Sequence, residues 1–151
     1  MIAPRTDDVE LLYFSLVRRW NEQDAAGMAA LFVPDGHVVG FDGSELDGRT
    51  AIEESMRGIF AHHKTPAYIA KVRSVRLVGD VAVLRAVAGL VPPGTQDLNP
   101  DLNAVQTLIA SLSAGTWRVE LFQNTPAAFH GRAEARERLT EELRDVLRRT
   151  K

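Results

Sequence analysis

The spacing of apolar residues changes near Pro66, and this change limits the chain to a small set of folds. Before Pro66, apolar residues recur at intervals of three and four, which is the period of one helix face. The pattern is clearest at Val9, Leu12, Tyr13, Leu16, Val17 and Trp20. After Pro66, two β-branched runs, 68–78 and 81–91, are separated by Gly79 and Asp80, which is typical of a hairpin. Helices followed by strands predict an α+β fold and not an alternating α/β fold.

Two further segments complete the predicted architecture. Residues 104–113 and 116–124 predict a second hairpin around Ala114 and Gly115, and residues 131–149 predict a charged helix with a narrow apolar stripe. We therefore expect one domain over residues 1–151. In it, a strongly bent antiparallel sheet wraps around the N-terminal helices as a cone, and an additional helix follows at the C-terminus.

The composition argues against several classes of protein. The 18 Lys and Arg residues nearly balance the 20 Asp and Glu residues, so we predict neither nucleic acid nor a membrane as a partner. Without cysteine, the chain cannot form disulfides, zinc–thiolate sites or a thiol nucleophile. No apolar run approaches the roughly 20 residues of a membrane span, and the first residues lack the apolar core of a signal peptide. We therefore expect a cytoplasmic protein.

Several short motifs, taken in order, resemble the nuclear transport factor 2-like superfamily, which includes SnoaL-like and ketosteroid-isomerase-like proteins. The resemblance covers residues 7–125 and is strongest to the SgcJ/EcaC branch. The motifs are WN at 20–21 with Asp24, LF at 31–32 with Asp35, LDGRTAI at 46–52, DVAV at 80–83, WRV at 117–119 and QNT at 123–125.

The resemblance implies a homodimer and a small-molecule cavity between the helices and the sheet. Branch members include proteins of polyketide and enediyne biosynthesis, which implies a hydrophobic polyketide- or steroid-like ligand. No G-x-G-x-x-G lies between a predicted strand and a predicted helix. We therefore expect no nicotinamide or flavin, and we predict that the protein uses no cofactor.

Alternation along the second predicted hairpin places polar groups at one end of an apolar face. Counted outward from the turn, Gln106 shares a face with Trp117 and Gln123. We interpret this face as a cavity wall with a hydrogen-bonding end. The alternative is that both glutamines lie at the solvent edge of the sheet, because a register shift of one residue inverts every such assignment.

Arg85 interrupts the most apolar predicted strand. A charged side chain is seldom buried unpaired, so Arg85 needs a carboxylate or a wet cavity. Its expected hairpin partner, Ser74, cannot neutralise it. Arg85 is therefore a candidate anchor for a ligand oxygen. The alternative is a structural ion pair with a carboxylate such as Glu120, or a solvated position.

The four histidines do not predict a metal site. No H-E-x-x-H or similar ligand spacing occurs, and the adjacent His62 and His63 diverge on a helix. His37 is a candidate general base because the ordinary pKa of histidine lies near neutrality.

The resemblance to ketosteroid-isomerase-like proteins implies a carboxylate base paired with an acid that donates to a carbonyl oxygen. Asp42, Glu45 and Asp47 are available as carboxylates, but they lie in a turn-rich segment where carboxylates are ordinarily solvated. Tyr13 and Tyr68 could donate, but both also fit the apolar stripes as core residues.

Two functions from different classes are open on this reading. In the first, the protein binds a hydrophobic ligand or acts on it without a cofactor, and a deep cavity ending at Arg85 or His37 favours this reading. In the second, it is a non-catalytic accessory or dimerisation module, which a dry cavity without converging polar groups favours. The residues assigned to the first are Phe41, Phe60 and Trp117 as walls, Gln106, Gln123 and Arg85 as polar contacts, and His37 as base.

A homodimer through the sheet is expected under either function. Both faces of strand 81–91 are largely apolar, and we expect helices to cover only one of them. The other face then requires a partner.

Overall fold

A computed structural model describes residues 5–150, and its elements follow the change of period seen in the sequence. The described part contains four α-helices and six β-strands, with two short 3-10 helices between them. The elements are α1 (Thr6–Asn21), α2 (Ala25–Ala29), β1 (Phe32–Val39), β2 (Glu45–Asp47), α3 (Arg49–His62), β3 (Ala67–Val78), β4 (Val81–Val91), β5 (Ala104–Ser113), β6 (Thr116–Pro126) and α4 (Ala133–Arg149).

The N-terminal helices bury the stripes that their spacing predicts. Val9, Leu12 and Leu16 are buried on α1, and Ile52 and Met56 are buried on α3. These side chains belong to one core cluster with residues of the sheet, so the helices are held by packing of an amphipathic face. No described helix is both long enough and apolar enough to cross a membrane.

The six strands form one sheet in the order β2-β1-β6-β5-β4-β3. Strands β3 to β6 form an antiparallel meander through the two predicted hairpins. The α+β prediction, with N-terminal helices, a curved sheet and a C-terminal helix, is confirmed. One pairing departs from the predicted antiparallel pattern, because β1 runs parallel to β6. No hairpin joins these two strands, since β2, α3 and the meander lie between them in sequence, so nothing forces them to be antiparallel.

The two faces of the sheet are covered by different elements. We call the face toward α1, α2 and α3 the inner face; its buried residues include Ala82, Leu84, Ala86 and Leu108. The opposite, outer face carries the side chain of Val87 and is partly covered by α4.

Within the antiparallel meander, two bulges interrupt the regular pairing and bend the sheet. One lies at Arg73 on β3. The other lies at Glu120 on β6, where Ile109 pairs with Leu121 but the next residue of β5 pairs with Val119. The second bulge decides which β6 side chains reach the inner face.

Helix α4 packs its apolar stripe on the outer face. Leu139 and Leu143 form a buried cluster with Val87 and Leu98. Gly89 permits the close approach, because a Cβ at that position would lie 3.2 Å from Leu143 Cδ1. The expectation that helices cover only one face is therefore wrong for the part of the sheet beneath α4.

Candidate functional site

A cavity of about 640 Å³ lies between the inner face of the sheet and helices α1 and α3. Most of its walls are apolar. They include Leu16, Val17 and Trp20 from α1, Met56 and Ile59 from α3, and Phe122 from β6. Ligand pockets in proteins commonly measure about 300–1,000 Å³, so this cavity has the size to hold a small organic molecule.

Four polar side chains from four different elements meet at one part of this cavity. Tyr13 Oη lies 2.5 Å from Gln106 Oε1, Gln106 Nε2 lies 3.2 Å from Asn124 Oδ1, and Asn124 Nδ2 lies 3.1 Å from Tyr68 Oη. We call these four residues the tyrosine–amide network. Gln106, Asn124 and Tyr68 line the cavity, whereas Tyr13 lies outside its lining. The network gives an otherwise apolar cavity a hydrogen-bonding end.

The start of β3 is fixed to the end of α1 beside this network. The side chain of Asn21 donates to the backbone oxygen of Tyr68 at 3.2 Å and accepts from its backbone nitrogen at 2.7 Å. Trp20 Nε1 donates to the carbonyl oxygen of Pro66 at 2.8 Å. The Trp20 and Tyr68 rings are 5.4 Å apart. These contacts hold the Tyr68 phenol in a defined position.

Both tyrosines of the network are neutral at physiological pH. Burial removes water from the Tyr13 hydroxyl and, with a smaller contribution from Tyr68, raises its pKa well above the usual range. Burial also raises the pKa of Tyr68 to about 12, although the hydrogen bond from Asn124 opposes this shift. The hydrogen-bonding end of the cavity therefore carries no formal charge.

The acidic and basic side chains of the cavity lining are exposed. They are Asp42, His63 and Lys64. The backbone nitrogen of Ser44 donates to Asp42 Oδ1 at 2.9 Å, and this hydrogen bond lowers the pKa of the Asp42 carboxyl. Within residues 5–150, no group of three or more His, Asp or Glu side chains could hold a metal ion.

The structure brings two of the predicted ligand contacts, Phe41 and Gln106, into the cavity lining. Their role in binding stays a prediction. Phe60 and Trp117 lie outside the lining. Phe60 packs edge-on against Trp20, with ring centroids 5.4 Å apart, and Trp117 is a buried core residue. The prediction that these two rings form cavity walls is therefore wrong, because each is used in packing elsewhere.

The prediction that Gln123 shares a face with Gln106 is also wrong. The bulge at Glu120 adds one residue to β6, so Gln106 pairs with Asn124 and Gln123 pairs with Thr107. Asn124 is buried, and Gln123 is exposed. One extra residue inverts the alternation beyond it, which exchanges the two neighbouring amides between the faces.

Arg85 lies on the outer face, away from the cavity. Its pairing with Ser74 is confirmed, and its side chain is exposed. It lines a second concavity of about 430 Å³ beneath α4, together with Arg73 and Glu142. Arg85 makes no ion pair within the described part of the chain. The prediction that it anchors a ligand in the cavity is wrong, because strand alternation turns it to the solvated side.

His37 is likewise outside the cavity lining. Its Nε2 lies 3.1 Å from Glu45 Oε1, and its Nδ1 contacts Asp47. Desolvation lowers the pKa of His37, but hydrogen bonds and charges from Glu45 and Asp47 outweigh this effect and raise the pKa above its ordinary value. The structure therefore does not support His37 as a general base at the cavity, because it pairs with exposed carboxylates on β2.

The sequence suggested Tyr68 as a donor to a carbonyl oxygen without assigning it to the cavity, and it did not suggest Asn124. One signal was present: the chain contains two tyrosines, and they form the two ends of the network. Asn124 directly follows Gln123 in the QNT motif, so the correct motif was identified with the wrong member facing inward. The bulge at Glu120 decides whether Gln123 or Asn124 faces inward, and we recognised no sequence pattern that predicts it.

Solved structures share the fold. A domain of unknown function with a cystatin-like fold from Nostoc punctiforme has a TM-score of 0.76 and 21% identity, covering 95% of this chain and 98% of that chain. A proposed calcium/calmodulin-dependent protein kinase type II association domain from Thiobacillus denitrificans has a TM-score of 0.70 and 16% identity, covering 83% and 98%. A proposed dehydratase of the NTF2-like family from Streptomyces avermitilis has a TM-score of 0.64 and 18% identity, covering 80% and 95%. Identities this low show a shared fold and not a shared activity.

Sequence comparison assigns the family. No curated protein matches the chain. The sequence profile of the SnoaL-like domain matches residues 9–123, which include most of α1, all elements from α2 to β5 and most of β6. The finer resemblance to the SgcJ/EcaC branch stays a prediction. Because the profile covers most of the chain and the fold agrees with it, the chain belongs to the SnoaL-like domain family.

Proposed function

We propose that the protein binds an apolar small molecule in the cavity between α1, α3 and the inner face. The observation that carries this proposal is the tyrosine–amide network at the end of apolar walls. Every polar group in a core needs a hydrogen-bond partner, because a buried polar group without one costs about 1–3 kcal/mol. A core that only holds the fold together is therefore more simply built from apolar side chains. Apolar walls with a few converging polar groups are instead typical of ligand sites.

The ligand class that these walls suit is a hydrophobic, polyketide- or steroid-like molecule. Trp20, Phe41 and Phe122 offer aromatic surface to such a molecule. Membership of the SnoaL-like family and the likeness to a proposed dehydratase support an organic ligand without naming it.

Binding is better supported than proton abstraction. A general base works best when its pKa lies near the working pH. The carboxylate at the cavity is Asp42, and its lowered pKa makes it a weaker base than an ordinary aspartate. We therefore assign binding to the cavity and no reaction to Asp42.

The test uses 6-propionyl-2-dimethylaminonaphthalene, an uncharged aromatic ketone whose emission moves to shorter wavelength in apolar surroundings. We expect saturable binding of one molecule per chain with a blue shift. Ser55→Phe adds a ring to the cavity wall and should weaken binding by about tenfold or more. Glu54→Phe adds the same ring on the exposed side of α3 and is the matched control. Equal binding by both variants, or no saturation in the wild type, would contradict the proposal.

An association role rests on a different observation. Beyond α4, the outer face leaves Val81, Val83, Ile109 and Leu121 only partly buried. We propose that a second copy of the chain covers this part of the sheet, because an apolar sheet face is seldom left open to water. Light scattering at micromolar concentration should give twice the mass of one chain, and Val83→Glu should return the mass of a single chain. A wild-type protein with the mass of one chain would refute the dimer.

A further inference from the structure

The direction of hydrogen bonding in the tyrosine–amide network is fixed at its buried end. Tyr13 has no exposed surface, and within residues 5–150 its hydroxyl bonds to Gln106 Oε1. A buried hydroxyl must donate its proton, since otherwise the proton is left without an acceptor. Tyr13 therefore donates, and the carbonyl oxygen of the Gln106 amide faces it.

This orientation determines the next two hydrogen bonds. With its oxygen toward Tyr13, the Gln106 amide directs its NH₂ group to Asn124 Oδ1. The Asn124 amide in turn directs its NH₂ group to Tyr68 Oη. The planar amides place oxygen and nitrogen on different bonds, so neither can turn without losing a partner. Tyr68 is therefore an acceptor toward the protein.

The proton of the Tyr68 hydroxyl is left for the cavity. No described residue accepts it, and Tyr68 is part of the cavity lining. The neighbouring indole N–H of Trp20 is already used by the carbonyl oxygen of Pro66. Tyr68 is therefore a directed donor beside an apolar wall.

We propose that Tyr68 donates a hydrogen bond to a neutral carbonyl oxygen of the ligand, and that Tyr13 is a positioning residue that fixes this role from outside the cavity. The inference rests on the proposed function and adds the chemical class of the ligand. Because the group that the network leaves free is the hydroxyl proton of Tyr68, it selects a ligand oxygen that accepts, such as that of a ketone, lactone or quinone.

A neutral oxygen is favoured over a carboxylate by the charges around the cavity. The basic side chains in the lining, His63 and Lys64, are exposed. The residues of the network are uncharged at physiological pH. A carboxylate beside Tyr68 would lose water without gaining a buried cation, which is unfavourable.

Two uncharged naphthalene probes test this inference. One is 6-propionyl-2-dimethylaminonaphthalene, and the other is 6-propyl-2-dimethylaminonaphthalene, which has the same shape but no carbonyl oxygen. Tyr68→Phe should weaken binding of the ketone by about tenfold and leave the propyl probe within about twofold. Gln123→Leu removes an amide from the outer face of β6, the strand that carries Asn124, and should change neither probe.

Tyr13→Phe separates positioning from packing. Without the Tyr13 proton, the two amides can turn and Tyr68 can donate to Asn124 Oδ1 instead of to the ligand. The ketone should then bind about threefold more weakly, with the propyl probe unchanged. An equal loss for both probes would show that Tyr13 acts only in packing and would overturn its positioning role.

The carbonyl stretch of the bound ketone provides a test that needs no variant. Infrared difference spectra of the wild-type complex should show a lower carbonyl frequency than the ketone has in an alkane, because a hydrogen bond weakens the C=O bond. An alkane-like frequency, or equal affinities of wild type and Tyr68→Phe for the ketone, would overturn the donor role of Tyr68 while leaving the cavity as a binding site. If neither probe binds the wild type, the proposed function itself is wrong and this inference falls with it.

Discussion

The inner and outer faces of the sheet satisfy their polar groups in opposite ways. On the inner face, two amides and two phenols bond to one another and carry no charge at physiological pH. On the outer face, charged residues pair in the presence of water, as Glu142 does with Lys71 and Arg73. A strand alternates between the faces, so neighbouring residues of one strand have very different surroundings.

The comparison shows where a polar side chain has large energetic consequences. A buried hydrogen-bond partner is costly to remove because the group left behind cannot turn to water. An exposed ion pair contributes little because water and salt replace it. The inner network therefore has a strict geometry and one donor, the Tyr68 hydroxyl, that has no acceptor among the described residues. The outer charges instead form exposed ion pairs beside α4. The four predictions that follow test this difference, from the largest expected effect to the smallest.

The largest effect is expected from the apolar contact that joins α4 to the outer face. Leu143→Ala should lower the free energy of unfolding by about 2–5 kcal/mol, because Leu143 is fully buried against Val87 and Leu98. Leu11→Ala is the control, since Leu11 is 66% exposed, and should change stability by less than about 0.5 kcal/mol. Urea denaturation measures both. A loss below about 1 kcal/mol for Leu143→Ala would mean that α4 does not pack on the sheet as described.

The same substitution on the two faces tests the comparison directly. Gln106→Leu leaves the Tyr13 hydroxyl without its acceptor and should destabilise the protein by about 1–3 kcal/mol. Gln123→Leu changes an exposed amide and should have an effect within about 0.5 kcal/mol. Equal effects in denaturation experiments would refute the inversion of β6 by the bulge at Glu120.

An acid titration tests the ion pairs of the outer face. The hydrogen bond from Arg73, with a smaller contribution from Lys71, lowers the pKa of the Glu142 carboxyl from 4.5 to about 2. Because this pKa is lower in the folded state, the stabilisation is complete above pH 4.5 and is lost as the pH falls toward 2.

Glu142→Gln should therefore lower stability at neutral pH and match the wild type near the folded pKa. We expect a difference of about 1 kcal/mol at neutral pH, because the Lys71 and Arg73 side chains are 43% and 41% exposed. Glu54→Gln, at an exposed position of α3, is the control. A difference that does not depend on pH would exclude the ion pair as its source.

The smallest effect is expected at His37, at the β1–β2 edge. Glu45 and Asp47 raise its pKa above 6.5, so the folded state binds this proton more tightly than the unfolded state. The stabilisation is then complete below the ordinary pKa and is lost as the pH rises through the folded pKa. Proton NMR titration should give a pKa above 6.5 in the wild type, and Asp47→Asn should move it downward. A wild-type pKa below 6.5 would contradict these contacts.

The elements of the fold could be predicted because their signals are local. The helical stripe of α1 and the hairpin turn at Gly79 and Asp80 depend on spacing within a few residues, and β3 and β4 begin and end within one residue of the prediction. The parallel pairing of β1 with β6 could not be read in the same way, because it joins strands that are far apart in sequence.

The candidate site was less predictable because it depends on single residues. The alternation that assigned Gln106 correctly fails beyond Glu120, where one extra residue exchanges Gln123 with Asn124. Arg85 was predicted to contact a ligand because it interrupts an apolar strand. In the structure its position on that strand faces solvent on the outer face. Spacing along a strand gives the alternation of faces, but it does not give the bulges that reset it.

The most direct test of the central claim is a crystal structure of the protein with the bound naphthalene ketone. We predict that the ring system lies between Trp20 and Phe122 and that the ketone oxygen lies about 3 Å from Tyr68 Oη. A ketone bound in the concavity beneath α4, or one whose oxygen points toward Asp42 and away from the tyrosine–amide network, would contradict the account.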